Sequence, residues 1–444
     1  MKNLTRSIFL KINLIVVILL LGLGKARAQE LITFVEDAGY CWYQDPRVII
    51  KDGKLVVGGI SGVDGDVKAG IFDLDKNKNL GTSTLRENFQ KDDHNAPVFY
   101  PRPDGRLLTI YAEHGTTKEH FYRISSPNNW LEWGEELKYD HVYPEPQGVT
   151  YMNLHTMKDE GLLYNFFRDG SNYNPSFMTS SDEGSTWGNR THFIADDVEG
   201  RHRPYARYLQ RDENTVAVTF TDGHPRKFGN HLYYADFTGG KFYKADGTFI
   251  KNLSDGPLLT NQAEKVYEGS GKHINQPHGL SVPNSAWTAA VAKDDKNRPY
   301  IGYTLYLTND DHRYRLANWT GKKWVDREIA YAGKCLYTRE SSYTGLVAVD
   351  PGKNSTTVYI SSDVDPSTGK SSGGLHEIYK GEVSNKDDTS TIKWTAITKN
   401  SKVKNIRPIL VTGEGYKVLV WLKGGFNTYT DYSTNIVGHV LEKP

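Results

Sequence analysis

The sequence predicts an all-β fold, a seven-bladed β-propeller of four-stranded antiparallel blades, on three observations. Helical periodicity is almost absent along the 444 residues, whereas short alternating apolar runs bounded by Gly, Asp, Asn and Pro recur throughout. One hairpin theme, a turn rich in Asp, Gly, Lys or Asn followed by an alternating strand, occurs seven times. The copies stand roughly 50–60 residues apart at five of their six gaps, a length that accommodates four short strands, and such a sheet buries its faces only against its neighbours.

The chain opens with Lys2, Arg6 and Lys11, an apolar stretch from Ile12 to Leu23 and the small-x-small tripeptide Ala26-Arg27-Ala28. That stretch is short for a membrane span, so residues 1–28 read as a secretory signal peptide and the protein is expected to be secreted. Residues 29–444 are expected to form a single propeller catalytic domain. The copies then follow in order: KDGKLVVGGISG (51–62), RPDGRLLTIYAEHG (102–115), KDEGLLYNFFRDG (158–170), RDENTVAVTFTDGHP (211–225), KDDKNRPYIGYTLY (293–306), DPGKNSTTVYISSD (350–363) and TGEGYKVLVWLKGG (412–425). The wider fourth gap predicts an insertion around 235–275. SSDEGSTW (180–187) fits the Asp-box pattern S-x-D-x-G-x-T-W of sialidase-like propellers, in which Asp and Thr tie down a turn and Trp187 packs between sheets. It marks architecture rather than chemistry.

Composition narrows the partners. A net charge of +1 gives no global attraction to polyanions, and no basic tract or stacking motif points to nucleic acid. No stretch after the leader is long and apolar enough to cross a membrane. Cys41 and Cys335, the only cysteines, leave three readings open: a disulfide, buried thiols, or Cys335 as a soft metal ligand.

The repeat also locates function. In each copy one strand runs into the turn and the next runs out, so the start of the first and the end of the second lie at one rim. The starts carry Trp42 to Arg47, Asp93-His94-Asn95, Tyr151, Arg203-Pro204-Tyr205, Gln276-Pro277-His278, Tyr343 and Arg407; the ends carry His114, Arg168-Asp169, His224 and Asp310 to Arg313. His94 and His114 read as a general base and its partner or a substrate anchor, because imidazole titrates near neutrality. Tyr151 or Tyr205 could transfer a proton if cations such as Arg168, Arg203 or Arg207 stand nearby. Arg168 could clamp a carboxylate or pair with Asp169. His224 reads as a substrate contact or a turn residue, and His278 with Cys335 as metal ligands lacking a zinc-motif spacing.

With CWYQDPRVI (41–49), DDHNAPVF (92–99), RPYARY (203–208), TDGHP (221–225) and HRYRLANWTGKKW (312–324) assembled, the sequence resembles the secreted BNR-repeat propeller ulvan lyases, closest to polysaccharide lyase family 25. The resemblance implies a lyase that cleaves ulvan, a sulfated algal polymer of rhamnose 3-sulfate and uronic acid. It carries a catalytic histidine onto His94, a catalytic tyrosine onto Tyr151, with Tyr164 and Tyr205 as alternatives, and the carboxylate-neutralising arginine onto Arg168. His114, Arg203, Tyr205 and His224 fall at substrate-binding positions. No organic cofactor is implied; a structural zinc or calcium ion is, with His278 and Cys335 as its ligands. The expected partner is the anionic sulfated polysaccharide, bound by a monomer.

The inventory suits that chemistry. β-Elimination removes the C5 proton of a uronate, which becomes acidic only when a cation neutralises the carboxylate and stabilises the enolate. A sialidase-like exo-glycosidase, needing a Tyr nucleophile, an acidic partner and three arginines, is the first alternative. A non-catalytic glycan-binding propeller is the second.

Overall fold

Each of the seven sequence copies folds as the hairpin joining the first two strands of one sheet in the computed structural model, which describes residues 30–140, 148–170, 172–198, 204–384 and 392–444. The leader expected over 1–28 and Arg203 lie outside the described residues. The unit Thr33–Pro444 holds the sheets.

Blades 1 to 3 begin with the hairpins Val48–Lys51/Lys54–Ile60, Val98–Pro101/Leu107–Tyr111 and Thr150–Met157/Leu162–Asp169. Blades 4 to 6 begin with Tyr205–Asp212/Thr215–Thr221, Ser285–Lys293/Pro299–Thr308 and Val347–Pro351/Ser355–Ser362. Blade 7 joins Lys404–Gly413, Tyr416–Thr428 and Asp431–Glu442 to the early strand Ile32–Val35, so its outermost strand comes from the other end of the chain. Ala38 N donates to Thr434 O at 2.7 Å, and Thr434 Oγ1 donates back to Ala38 O at 2.8 Å, continuing that closure.

The predicted insertion is in blade 4, whose sheet gains Phe249–Asn252 and Glu264–Tyr267 and reaches six strands. Within it Leu258–Leu259 runs parallel to Ile194–Ala195 from the end of blade 3. Between blades 3 and 4 the apolar faces meet in an aromatic core, with Phe166 stacked on Tyr208 at 4.7 Å among Phe177, Phe193, Phe220 and Phe237. The Asp box forms as expected: Asp182 accepts from Thr186 N at 2.8 Å and Thr186 Oγ1 at 2.6 Å, and Trp187 is buried with Leu108, Ile110 and Leu163 between blades 2 and 3.

One short segment crosses the propeller axis. Tyr40–Arg47 makes contacts around the ring: Tyr40 OH donates to Arg407 O at 3.0 Å, Trp42 Nε1 to Thr288 O at 3.0 Å, and Asn153 Nδ2 to Tyr43 O at 3.1 Å. Gln44 Nε2 donates to His94 O, Asp45 pairs with Arg207 at 2.7 Å, and the Trp42 ring meets Tyr343 edge-on at 5.0 Å. This plug divides the axis in two. On the side of the hairpin turns it roofs a channel of about 530 Å³ lined by the first strand of every blade. On the other side it forms the floor of the rim where the predicted residues gather.

Candidate functional site

The rim site is built on aromatic packing over the plug. Tyr43 lies 5.1 Å from Tyr151 and 5.2 Å from Tyr205, the rings that open the first strands of blades 3 and 4. Tyr151 has φ of +64°, and the ladder with Leu162–Asp169 shifts register just beyond it, between Thr150 and Asn153. A bulky residue in the left-handed region is strained by about 1–3 kcal/mol, and such strain persists where the surroundings over-determine it. Here Asn153 Nδ2 donates to Tyr151 O at 2.9 Å as well as to the plug.

Arg168 ends the second strand of blade 3 and is sandwiched between those tyrosines, its guanidinium carbon 4.3 Å from the Tyr151 ring centre and 4.2 Å from that of Tyr205. It is 5% exposed, and its Nε and Nη1 have no hydrogen-bond partner. The alternative pairing with Asp169 does not occur: Asp169 takes Arg190 at 3.1 Å and Ser176 at 2.7 Å. A buried arginine held by two phenol faces, with no ion pair to a carboxylate among the described residues, is a cation set aside for an anion.

Beside Tyr151 stands a histidine pair on one carboxylate. Asp92 caps the 3-10 turn Asp93–Asn95, accepting from His94 N at 2.9 Å, and its two oxygens receive the Nδ1 atoms of His94 at 2.5 Å and His114 at 2.8 Å. The two rings stack at 4.1 Å, and His114 continues to Tyr151 at 6.1 Å. Burial opposes a charge on His94, but the neighbouring Cys41 and Asp92 outweigh it and hold the imidazole well above its usual value. His114 moves the other way, down to about 4, through burial and the charge on His94, with Asp92 in opposition. Of the pair, His94 therefore carries the proton while His114, 27% exposed at its side chain against 1% for His94, stays neutral. Burial raises the Tyr151 phenol well above its usual range against the pull of Arg168, so its hydroxyl is protonated.

The opposite wall holds His224, 5.8 Å from Tyr205 and edge-on to Trp287 at 4.7 Å. Its Nε2 lies 3.4 Å from Glu340, which also takes both its oxygens to Arg226 at 3.1 Å. Against the cost of burial, His224 and Arg226 hold the Glu340 carboxyl down to about 2.

Six of the predicted residues thus form one contact chain: His94, His114, Tyr151, Arg168, Tyr205 and His224. Tyr164, the alternative tyrosine, instead packs in the core between blades 3 and 4, its hydroxyl 2.5 Å from Glu160. His312 is buried on Ser341 O and Arg313 pairs with Asp311 and Glu328, so that stretch does not join the site. Arg407, read as a rim residue, is fully buried on Asp93 at 2.6 Å.

His278 and Cys335, the expected ligands of a structural ion, belong to no cluster of three possible ligands among the described residues: His278 is exposed against Arg226, and Cys335 is a half-buried free thiol whose backbone N is bonded to Asn309 O. Among the described residues the clusters of three possible ligands are Cys41, Asp93, His94 and Asp92, His94, His114. In the first, Asp93 is committed to Arg407; the second is the histidine pair itself. Neither fits a structural ion. Both cysteines are free, which rules out the disulfide reading.

Sequence reasoning missed Asp92 and Glu340. Asp92 stood in the quoted DDHN run beside His94, and Glu340 lies three residues before Tyr343, which was read as a rim position.

Comparison with known proteins agrees with this fold. A solved polysaccharide lyase, a PL25 ulvan lyase, has the same fold with a TM-score of 0.65 and 14% identity, over 94% of this chain and 98% of that chain. A PL25 ulvan lyase bound to -[GlcA(1-4)Rha3S]- gives the same values. The polysaccharide lyase Uly1 follows with a TM-score of 0.55 and 12% identity, over 94% of this chain and 95% of that one. At such identities the likeness is one of fold. No curated protein sequence matches the chain. The profile of the BNR repeat-containing family matches residues 62–332, from the hairpin of blade 1 to the last strand of blade 5 and more than half of the sequence, and the chain belongs to that family.

Proposed function

We propose that the rim site is that of a polysaccharide lyase which cleaves a sulfated rhamnose–uronate polymer of the ulvan type by β-elimination. The observation that carries this reading is Arg168, a buried cation without an ion pair, set between a protonated phenol and a histidine pair. Its fold neighbour bound to a glucuronate–sulfated rhamnose ligand supports the substrate class. Residues 1–28 would export the enzyme to a polymer too large to enter a cell.

In the reaction the uronate carboxylate lies on Arg168, which stabilises the enolate as the C5–H bond breaks. Tyr151 keeps its proton, so the acceptor is the histidine pair, whose neutral member is His114 and whose charge rests on His94 and Asp92. The C4=C5 double bond forms, the C4–O4 bond breaks, and O4 takes the proton of Tyr151. Tyr205 and His224 bind the sugar across the cleft. In glucuronate the C5 proton and O4 lie on one side of the ring, and in iduronate on opposite sides.

A sialidase-like mechanism is less well served. It needs three arginines on one carboxylate, whereas Arg226 and Arg407 are already committed to Glu340 and Asp93. The test is the ultraviolet absorbance of a conjugated 4,5-unsaturated uronate during incubation with ulvan, beside His94→Ala and Arg168→Ala. A rise slowed by about 10²-fold or more in both variants is expected. New reducing ends without absorbance would mean hydrolysis, and binding without turnover a glycan-binding propeller.

A further inference from the structure

The axial channel holds charge that the rim chemistry does not use. Among the residues lining it, Asp45 is the one carboxylate, while Arg47, Arg207 and Arg407 are cations. Arg407 has its own partner in Asp93. Arg47 and Arg207 must share Asp45, at 2.9 and 2.7 Å.

One positive charge is therefore left uncompensated where Arg47 is 4% and Arg207 7% exposed. Arg47 Nε and Arg207 Nε and Nη1 have no hydrogen-bond partner, and neither has Nε2 of the adjacent, buried His155. Burial lowers His155 to about 4, opposed by a hydrogen bond with Gln210 and reinforced by the charge of Arg207, so it adds no charge while its Nε2 can offer a hydrogen bond. An unpaired buried cation is strongly disfavoured. Of the other buried arginines, Arg407 is matched by Asp93, while Arg168 belongs to the rim cleft. Below the plug the channel walls are mostly aliphatic, including Val48, Ile50, Leu209, Val291, Val349 and Val411, which favours a small ion over a polar organic ligand.

We propose that the channel side of the plug is a binding site for a small inorganic anion of the halide type, held between Arg47 and Arg207 with His155 as an additional donor. The site lies across the plug from the rim cleft and is independent of the reaction there. Its role is structural: the anion neutralises the roof of the channel and fixes the plug on which the cleft stands.

Bromide tests this directly. Crystals of the protein soaked in sodium bromide are expected to give an anomalous peak bridging Arg47 and Arg207, and its absence from the wild type would overturn the site. Arg207→Met should remove the peak; a peak that survives would place the ion on other residues and equally overturn the assignment. In solution, replacing chloride with bulky gluconate at constant ionic strength should lower the unfolding midpoint of the wild type by a few degrees and leave that of Arg207→Met unmoved. An equal response in the two would count against the site.

Discussion

Arg168 and Tyr151 are coupled through a 4.3 Å face-on contact, yet their substitution should separate two roles. Arg168→Ala is expected to lower kcat by about 10²–10³-fold, the scale for removing one preorganised group that stabilises developing charge. Tyr151→Phe keeps the ring beneath the guanidinium and removes only the hydroxyl, so lyase activity should collapse while the unfolding midpoint stays within a degree or two of the wild type. Unsaturated-product absorbance and a thermal melt on the same samples check both. At this scale the sequence was informative about side-chain types and poor about pairings. His94, His114, Tyr151 and Arg168 could be placed at one rim because the strand register puts them there. That His94 and His114 share Asp92, and that Arg168 pairs with neither Asp169 nor any other carboxylate among the described residues, depends on rotamers and burial that alternation does not encode.

At the level of elements, each hairpin copy was readable because its turn residues and alternating apolar positions reflect the same local constraint, a tight reversal with one face buried. The insertion in blade 4 was visible as a spacing anomaly, but its extra strands were not, since Glu264–Tyr267 pairs with Leu232–Thr238 across a long excursion. The plug escaped altogether: CWYQDPRVI reads as the start of a first strand, whereas Tyr40–Arg47 is held by tertiary contacts around the ring. The Asp box is the clearest local element, with Asp182 accepting from Ser180 Oγ, Thr186 N and Thr186 Oγ1. Despite some cost of burial, those bonds hold its carboxyl down to about 2. Asp182→Ala should cost about 0.5–1.5 kcal/mol by denaturant titration, with kcat unchanged at temperatures where the protein stays folded, because the turn lies away from the cleft.

Over the whole molecule, stability rests on closing the ring. Phe34, in the strand that completes blade 7, is 1% exposed and packs edge-on against Phe72 of blade 1 at 5.3 Å. Phe34→Ala should therefore destabilise the protein by about 3–5 kcal/mol, read as a shift of the denaturant midpoint. Acid should also weaken the fold. His114, His155 and His376 are each lowered to about 4, first by burial. An unfolded chain takes up protons on them below about pH 6.5 while the folded one refuses them, so stability falls between about pH 6.5 and 4. His94, raised by Cys41 and Asp92 against burial, acts in the opposite sense: its stabilisation is full below about pH 6.5 and fades as the pH climbs through its own higher value. A melting series across this range should show the acid loss, and His376→Gln, remote from the cleft, should soften it.

The plug also bears on how the molecule is assembled. Tyr40–Arg47 is synthesised before every blade it touches, yet its docking points at Asn153, Arg207, Thr288 and Arg407 are spread across most of the chain that follows. The segment has no complete seat until the last blade is in place. Formation of the cleft floor is then a late event in folding, and on the proposed function turnover would report that the whole ring has closed.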